Sequence, residues 1–312
     1  MPHWLIKSAI HRAISLLPQS QKCNEWFQQR VTKSLALGTG AFEARLEFCR
    51  RYLEDFLKLR PECASGFTAL ELGTGWYPTV PIGLYLCGAT EIWSFDIYPF
   101  LRSARLKTLL THFCNYDREG RLQKFLPGVR PERMAQLREL LSQFDRYTPE
   151  TLLAKINIHV LIRDAQNTGL PPKSIDLFFS CAVLEYIPAR IQENLYAEFR
   201  RLASPRALLI EYIDFKDQFA AFDSSLTPLN YLKYSSAAWK WLDSPLIPQT
   251  RLRISDYRAA LRNSGFEILK ELNTSAPAAQ LQKIRLAPEF QKYSPADLLV
   301  IDTWLVAQPV KV

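Results

Sequence analysis

The sequence predicts an α/β chain: a seven-stranded, mostly parallel sheet with helices on both faces, preceded by a segment that is helical alone. Three observations carry this. From residue 67 onward, short β-branched apolar runs alternate with longer helical stretches, the pattern of parallel strands buried on both faces. The first run leads directly into a glycine-rich turn. Before residue 61 the apolar residues follow helical spacing only.

Ile6, Ala9, Ile10, Ala13, Ile14 and Leu17 form one helical stripe, ended by Pro18. Phe42, Leu46, Cys49, Leu53 and Phe56 form a second, stopped before Pro61, since proline removes a helix donor. Neither helix can bury its stripe alone. Residues 1–65 are therefore expected to form an N-terminal helical cap, closing over an acceptor site, with a membrane-surface role for the first helix the lesser reading. Residues 66–312 are expected to form the sheet-bearing domain. Its strands are expected at 67–72, 91–97, 156–162, 175–181, 207–213, 266–272 and 298–306. Helices are expected at 81–87, 102–113, 131–144, 189–202 and 255–264, the last ended by Gly265 in a left-handed C-cap. The gap at about residues 100–155 is too long for one crossover and is read as a helical insertion.

Composition narrows the function. A chain of 312 residues with 48% apolar and 22% charged residues buries a large core, which excludes disorder and coiled coil. No apolar run reaches the ~18 residues of a membrane span, so an integral membrane protein is excluded. The net charge is +8, and residues 1–60 carry 10 Lys/Arg against 5 Asp/Glu. Basic character thus concentrates at the N-terminus, where the helices offer a surface to a protein partner. Nucleic acid is disfavoured, because no basic-aromatic stretch of RNA-binding type appears and Ser180-Cys181-Ala182-Val183 is small and apolar. Six cysteines without a CxxC pair and four scattered histidines give no metal site and read as reduced thiols of a cytoplasmic protein. Lys7 and Arg12 interrupt the first apolar residues, which is not the pattern of a signal peptide.

The turn Glu71-Leu72-Gly73-Thr74-Gly75 follows the first strand. Glycine there allows a sharp turn and lets a ligand approach the main chain, at the strand ends where doubly wound sheets bind ligands. Asp96 ends the second strand, 21 residues past Gly75, where an acid can accept from both ribose hydroxyls. Asp164 and Ala165 follow the third strand, and Ser180 and Cys181 end the fourth. Pro78 occupies the position of a third glycine and Glu71 adds a negative charge. Both disfavour pyrophosphate and favour a nucleoside bearing a cationic amine.

These residues, with the Asp176–Tyr186 strand and loop, resemble the class I S-adenosylmethionine-dependent methyltransferases, in their bacterial small-molecule branch, over residues 66–306. The resemblance implies a Rossmann-like fold and S-adenosyl-L-methionine as cofactor. It implies that Gly73 and Gly75 face the cofactor's amino acid part, that Glu71 supports its amino group, that Asp96 holds the ribose and that Asp164 pairs with the adenine amine. Thr74, Ile97, Ala165, Ser180 and Cys181 complete the expected cofactor contacts. A post-strand Asp-His of that branch reads Asp217-Gln218 here, so no histidine role carries over.

The expected function is methyl transfer to an oxygen or nitrogen of a small-molecule acceptor. A hydroxyl acceptor needs a group to take its proton, and Asp214, Glu185 and Tyr186 are the candidates. Asp214 is preferred, because partial burial after the fifth strand would make it a useful base. Trp76, Tyr77, Tyr186, Tyr231, Trp239 and Trp241 are candidates for the acceptor pocket. Two alternatives stand beside this reading. One is a catalytically silent module that binds the cofactor and pairs with an active partner. The other, less favoured, is a nicotinamide-dependent oxidoreductase, prompted by the YxxxK spacing of Tyr212 and Lys216.

Overall fold

The computed structural model describes residues 4–17, 36–221, 223–246 and 248–310. His3, Pro18 and Cys23 lie outside the described residues. Seven strands form one mixed sheet in the order β3-β2-β1-β4-β5-β7-β6. They are β1 (Phe67–Leu72), β2 (Ala89–Asp96), β3 (Ile158–Ile162), β4 (Ile175–Cys181), β5 (Ala203–Asp214), β6 (Phe266–Ser275) and β7 (Val300–Pro309). The order turns back beside β1, as in a doubly wound sheet, and β7 is inserted between β5 and β6. The fold class is the expected one.

β1 and β4 fall on their expected residues. β3 begins at Ile158 because Asn157 takes a left-handed φ of 55°, which extended chain does not accommodate. β5 begins four residues early, through Pro205. Its start is tied down by Asp176, whose Oδ1 accepts from Ser204 Oγ at 2.7 Å and from Arg206 Nε at 2.9 Å.

The chain divides into two compact units. One comprises Leu37–Cys181, Ala197–Ile210 and Val306–Val312. Here the helix Thr39–Leu59 buries Phe42, Leu46, Cys49, Leu53 and Phe56, the stripe read from the sequence. It packs against the helix Thr79–Leu86 through Gly83, where a Cβ would lie 2.5 Å from Cys49 Sγ. The segment between β2 and β3 is helical, with Ser103–Arg118, Pro131–Ser142 and Pro149–Ala154 as its main pieces.

The other unit comprises Met1–Ala36, Ala182–Tyr196 and Glu211–Leu305. Its N-terminal helix, Trp4–Ser15, inserts Trp4 among Phe219, Leu229, Tyr231, Trp239 and Phe290. Ser8 Oγ donates to the Leu242 carbonyl at 2.5 Å, and His11 Nδ1 lies 2.9 Å from Ser244 Oγ. The two helices read as one cap thus belong to different units. Tyr231 and Trp239, read as pocket candidates, are core residues of this cluster.

Candidate functional site

All ten residues expected to hold a cofactor lie in the first unit, and strand register brings them to one edge. Leu72 pairs with Phe95 of β2 and with Ser180 of β4, while Asp96 pairs with Ile162 of β3. Parallel strands in this register end together, so Cys181 at the end of β4 and the residues that follow the other strands, Gly73, Ile97 and Arg163, lie at the same edge.

The turn after β1 is built from positive-φ glycines, 85° at Gly73 and 61° at Gly75. Its main chain is pinned twice. Gly73 N–H donates to the Phe95 carbonyl at 2.7 Å, and Gly75 N–H donates to Asp96 Oδ2 at 2.9 Å. Tyr98 N–H donates to the other oxygen, Oδ1, at 2.9 Å. Each Asp96 oxygen therefore accepts one main-chain bond and keeps a second acceptor position. A Cβ built on Gly75 meets nothing within 4 Å, so open space adjoins the turn backbone.

Beneath the turn, Ser94 donates to Glu71 Oε2. Thr74 Oγ1 and the Ser94 hydroxyl lie 2.5 Å apart and share a hydrogen bond. Glu71, Thr74 and Ser94 are all buried. Burial pushes the Glu71 carboxyl up to about 8, against the opposing pull of the Ser94 bond and of Arg45. At neutral pH it is mostly uncharged, which a neighbouring cation would reverse. Burial also raises Asp96, opposed by the main-chain donors of Gly75 and Tyr98.

The remaining contacts are mixed. Ile97 is 64% exposed, an apolar side chain beside Asp96 with no core to enter. Ala165 is buried, whereas Asp164 is exposed and accepts from Gln166 N at 2.8 Å and Gln166 Nε2 at 2.6 Å. Ser180 is buried, its carbonyl accepting from Tyr52 Oη at 2.6 Å. Cys181 is half-buried and, like the other described cysteines, in no disulfide. An aromatic group borders the turn: Trp76 and Phe100 lie 4.1 Å apart, with the Arg105 guanidinium 4.5 Å from the Trp76 ring.

The three proton-transfer candidates lie in the second unit. Glu185 sits in the turn Leu184–Tyr186 after β4 and is 3% exposed. No side chain gives either of its oxygens a well-formed hydrogen bond. Burial, reinforced by the charge of Asp214, raises its carboxyl well above the usual range. Burial likewise raises the Tyr186 phenol, with Glu185, Asp214 and Asp243 adding to it. Asp214, at the end of β5, is 35% exposed in its side chain. It accepts on Oδ1 from Lys216 N at 2.9 Å and from Lys216 Nζ at 3.1 Å. The burial expected of Asp214 is thus found at Glu185. Asp217 instead holds the chain, accepting from Asn230 Nδ2 at 2.8 Å and Phe219 N at 2.8 Å.

One acid escaped the sequence reading. Asp243 is buried and accepts from Gln218 Nε2 at 2.6 Å, Ser244 N at 2.9 Å and Gln249 N at 2.9 Å. Burial pushes it up to about 7 against those three donors. Gln218, the departure from the Asp-His pattern, is thereby given a partner 25 residues away, which no local motif signals. Tyr212 lies within β5 and Lys216 beyond its end at Asp214, so the YxxxK spacing does not fall on a helix. Among the described residues no cluster of His, Cys, Asp and Glu could hold a metal ion, and no helix is long and apolar enough to cross a membrane.

No family model matches the chain, and no curated protein matches it in sequence. Among solved structures it is similar to geranyl diphosphate methyltransferase in complex with S-adenosylmethionine, with a TM-score of 0.46 and 10% identity over 90% of this chain and 95% of that one. It is similar to magnesium protoporphyrin IX methyltransferase of Synechocystis PCC 6803 with bound S-adenosylhomocysteine, with a TM-score of 0.45 and 14% identity over 92% and 97%. It is also similar to the [4+2]-cyclase SpnF, with a TM-score of 0.43 and 16% identity over 84% and 82%. TM-scores below 0.5 leave the fold assignment to the strand order itself.

Proposed function

We propose that this chain is an S-adenosylmethionine-dependent methyltransferase of the bacterial small-molecule branch, acting on an oxygen or nitrogen of a small acceptor. The observation that carries the proposal is the Glu71–Gly75 turn pinned to Asp96, with open space beside Gly75. The residues present fit that cofactor. Gly73 and Gly75 expose main chain to an amino acid moiety, and Glu71 offers a carboxyl that gains its charge beside an ammonium group. Asp96 retains acceptor positions for ribose hydroxyls, and Ile97 offers an apolar surface to a base. Asp164 retains the second acceptor position of each oxygen for an exocyclic amine.

Bound there, the cofactor would supply an electrophilic methyl group. The chain's own part is to hold the acceptor in line and exclude water. For a hydroxyl acceptor a proton must also leave. Burial raises the Glu185 carboxyl well above the usual range, which favours its protonated, hydrogen-bond-donating form. Asp214 is the accessible carboxylate, and because both Lys216 contacts fall on Oδ1, Oδ2 is the oxygen for the proton.

Calorimetry with S-adenosylhomocysteine tests the cofactor assignment. Saturable binding is expected in the parent chain and none in Gly75→Val, whose branched side chain would enter the open space and strain a positive-φ position. Asp96→Ala should lose ~1.5–3 kcal/mol, the worth of hydrogen bonds to a charged group. Unchanged affinity in a folded Gly75→Val variant would remove the assignment.

A further inference from the structure

The N-terminal helix buries one side and shows an apolar side to solvent. Trp4, Ser8 and His11 face the core, whereas Leu5, Ile6, Ala9 and Ala13 of the helix, and Leu16 and Leu17 just past its end, are exposed, Leu16 at 82%. A helix that merely packed on one side would present charged or polar residues on the other. Next to this face stands Trp241, 72% exposed, on the helix Ser236–Leu242. Trp4 is spent inside, 5.4 Å from Phe219. Trp241 takes the outward position.

Cations border the patch. Arg12 donates to the carbonyls of Lys240 at 2.9 Å and Trp241 at 2.7 Å, and its guanidinium lies 5.2 Å from the Trp241 ring. Lys240 is exposed beside it. Leucines on one face, a tryptophan at the edge and basic side chains along the rim match the demands of a lipid interface. The acyl boundary takes the apolar side chains, indole prefers the headgroup level, and acidic headgroups attract the cations. A second copy of the chain would bring the same positive field and be repelled.

We propose that this face, formed by Leu5, Ile6, Leu16, Leu17 and Trp241 with Arg12 and Lys240 at its rim, docks on an anionic bilayer surface. The docking is independent of the methyl-transfer reading. It is peripheral, in the plane of the interface, and requires no spanning segment.

Sedimentation of the full chain with vesicles of phosphatidylcholine, with and without phosphatidylserine, tests it. Binding is expected to the vesicles containing phosphatidylserine, weak binding to phosphatidylcholine alone, and a decline as salt screens the charges. The variant Leu16→Gln/Leu17→Gln/Trp241→Gln should bind at least ~10-fold more weakly while keeping the parent's circular dichroism and melting temperature, because these side chains are exposed. Lys240→Gln should weaken binding to the anionic vesicles only. Absence of vesicle binding at low salt overturns the proposal, as does equal binding by the folded triple variant. It is also overturned if the parent chain forms a dimer that the triple variant abolishes, with no vesicle binding by either.

Discussion

Asp214 and Glu185 occupy opposite electrostatic situations. Asp214 is partly in water and held by a lysine 3.1 Å away. Glu185 is almost fully buried, and that burial favours its neutral form over the opposing pull of Lys216. A neutral carboxyl and an amide have nearly the same shape, so the two positions respond differently to amidation. Asp214→Asn should keep cofactor affinity and lower turnover by ~10²–10⁴-fold, the range of general base catalysis. Glu185→Gln should cost turnover less than about tenfold, ~1.4 kcal/mol. Steady-state kinetics of both variants with an identified acceptor decide it. A loss below tenfold in Asp214→Asn would leave positioning as the main catalytic device. Sequence spacing places both acids at strand ends, but it cannot say which one the fold buries. That depends on distant chain such as Thr250, whose N–H donates to the Glu185 carbonyl at 2.9 Å.

At the scale of elements, β1, β4 and the stripe of Thr39–Leu59 were legible because their periodicity is uninterrupted. Glu71, Gly73, Gly75 and Asp96 were legible too, because all four lie within one strand–turn–helix–strand stretch. Three features were not. β5 passes through Pro205, a residue that reads as a stop, and its extension depends on Asp176 from another strand. β3 starts late because Asn157 turns left-handed, a choice its composition permits without requiring. The N-terminal helix shows helical spacing in the sequence, but with apolar residues at most positions its stripe does not say which side meets the core. Trp4, Ser8 and His11 decide that through Phe219, Leu242 and Ser244, more than 200 residues away.

For the whole molecule, the buried acids set a pH window. Glu71, pushed up to about 8, and Asp243, pushed up to about 7, keep protons in the native state that the unfolded chain releases above its ordinary carboxyl range. Their contribution is complete below that range and is lost as pH rises through 7 and 8. Glu198 works in the other direction. Arg201 and Thr168 hold it down at about 2, so its contribution is lost as pH falls through the acid range. On these three groups the stability of the ligand-free chain should peak at roughly pH 4 and decline above it. Melting temperature is expected to drop between roughly pH 5 and pH 8, at about 2–4 °C per kcal/mol lost. Glu71→Gln should shrink that drop, since its amide stays neutral and can still accept from Ser94. An equal drop in the variant would mean that Glu71 is ionised in the native state.

Asp96 holds the glycine turn through Gly75 before any nucleoside is present. The turn is therefore already shaped, and capture needs no slow rearrangement of the backbone. In stopped-flow mixing with S-adenosylhomocysteine, the observed rate should climb linearly with ligand concentration, as for encounter with a ready-made receptor. In Asp96→Ala the turn loses this latch and samples other shapes, so the rate should level off at the speed of its return. A plateau already present in the parent chain would mean that the latch opens to admit the ligand, and entry, not affinity, would then be what Asp96 controls.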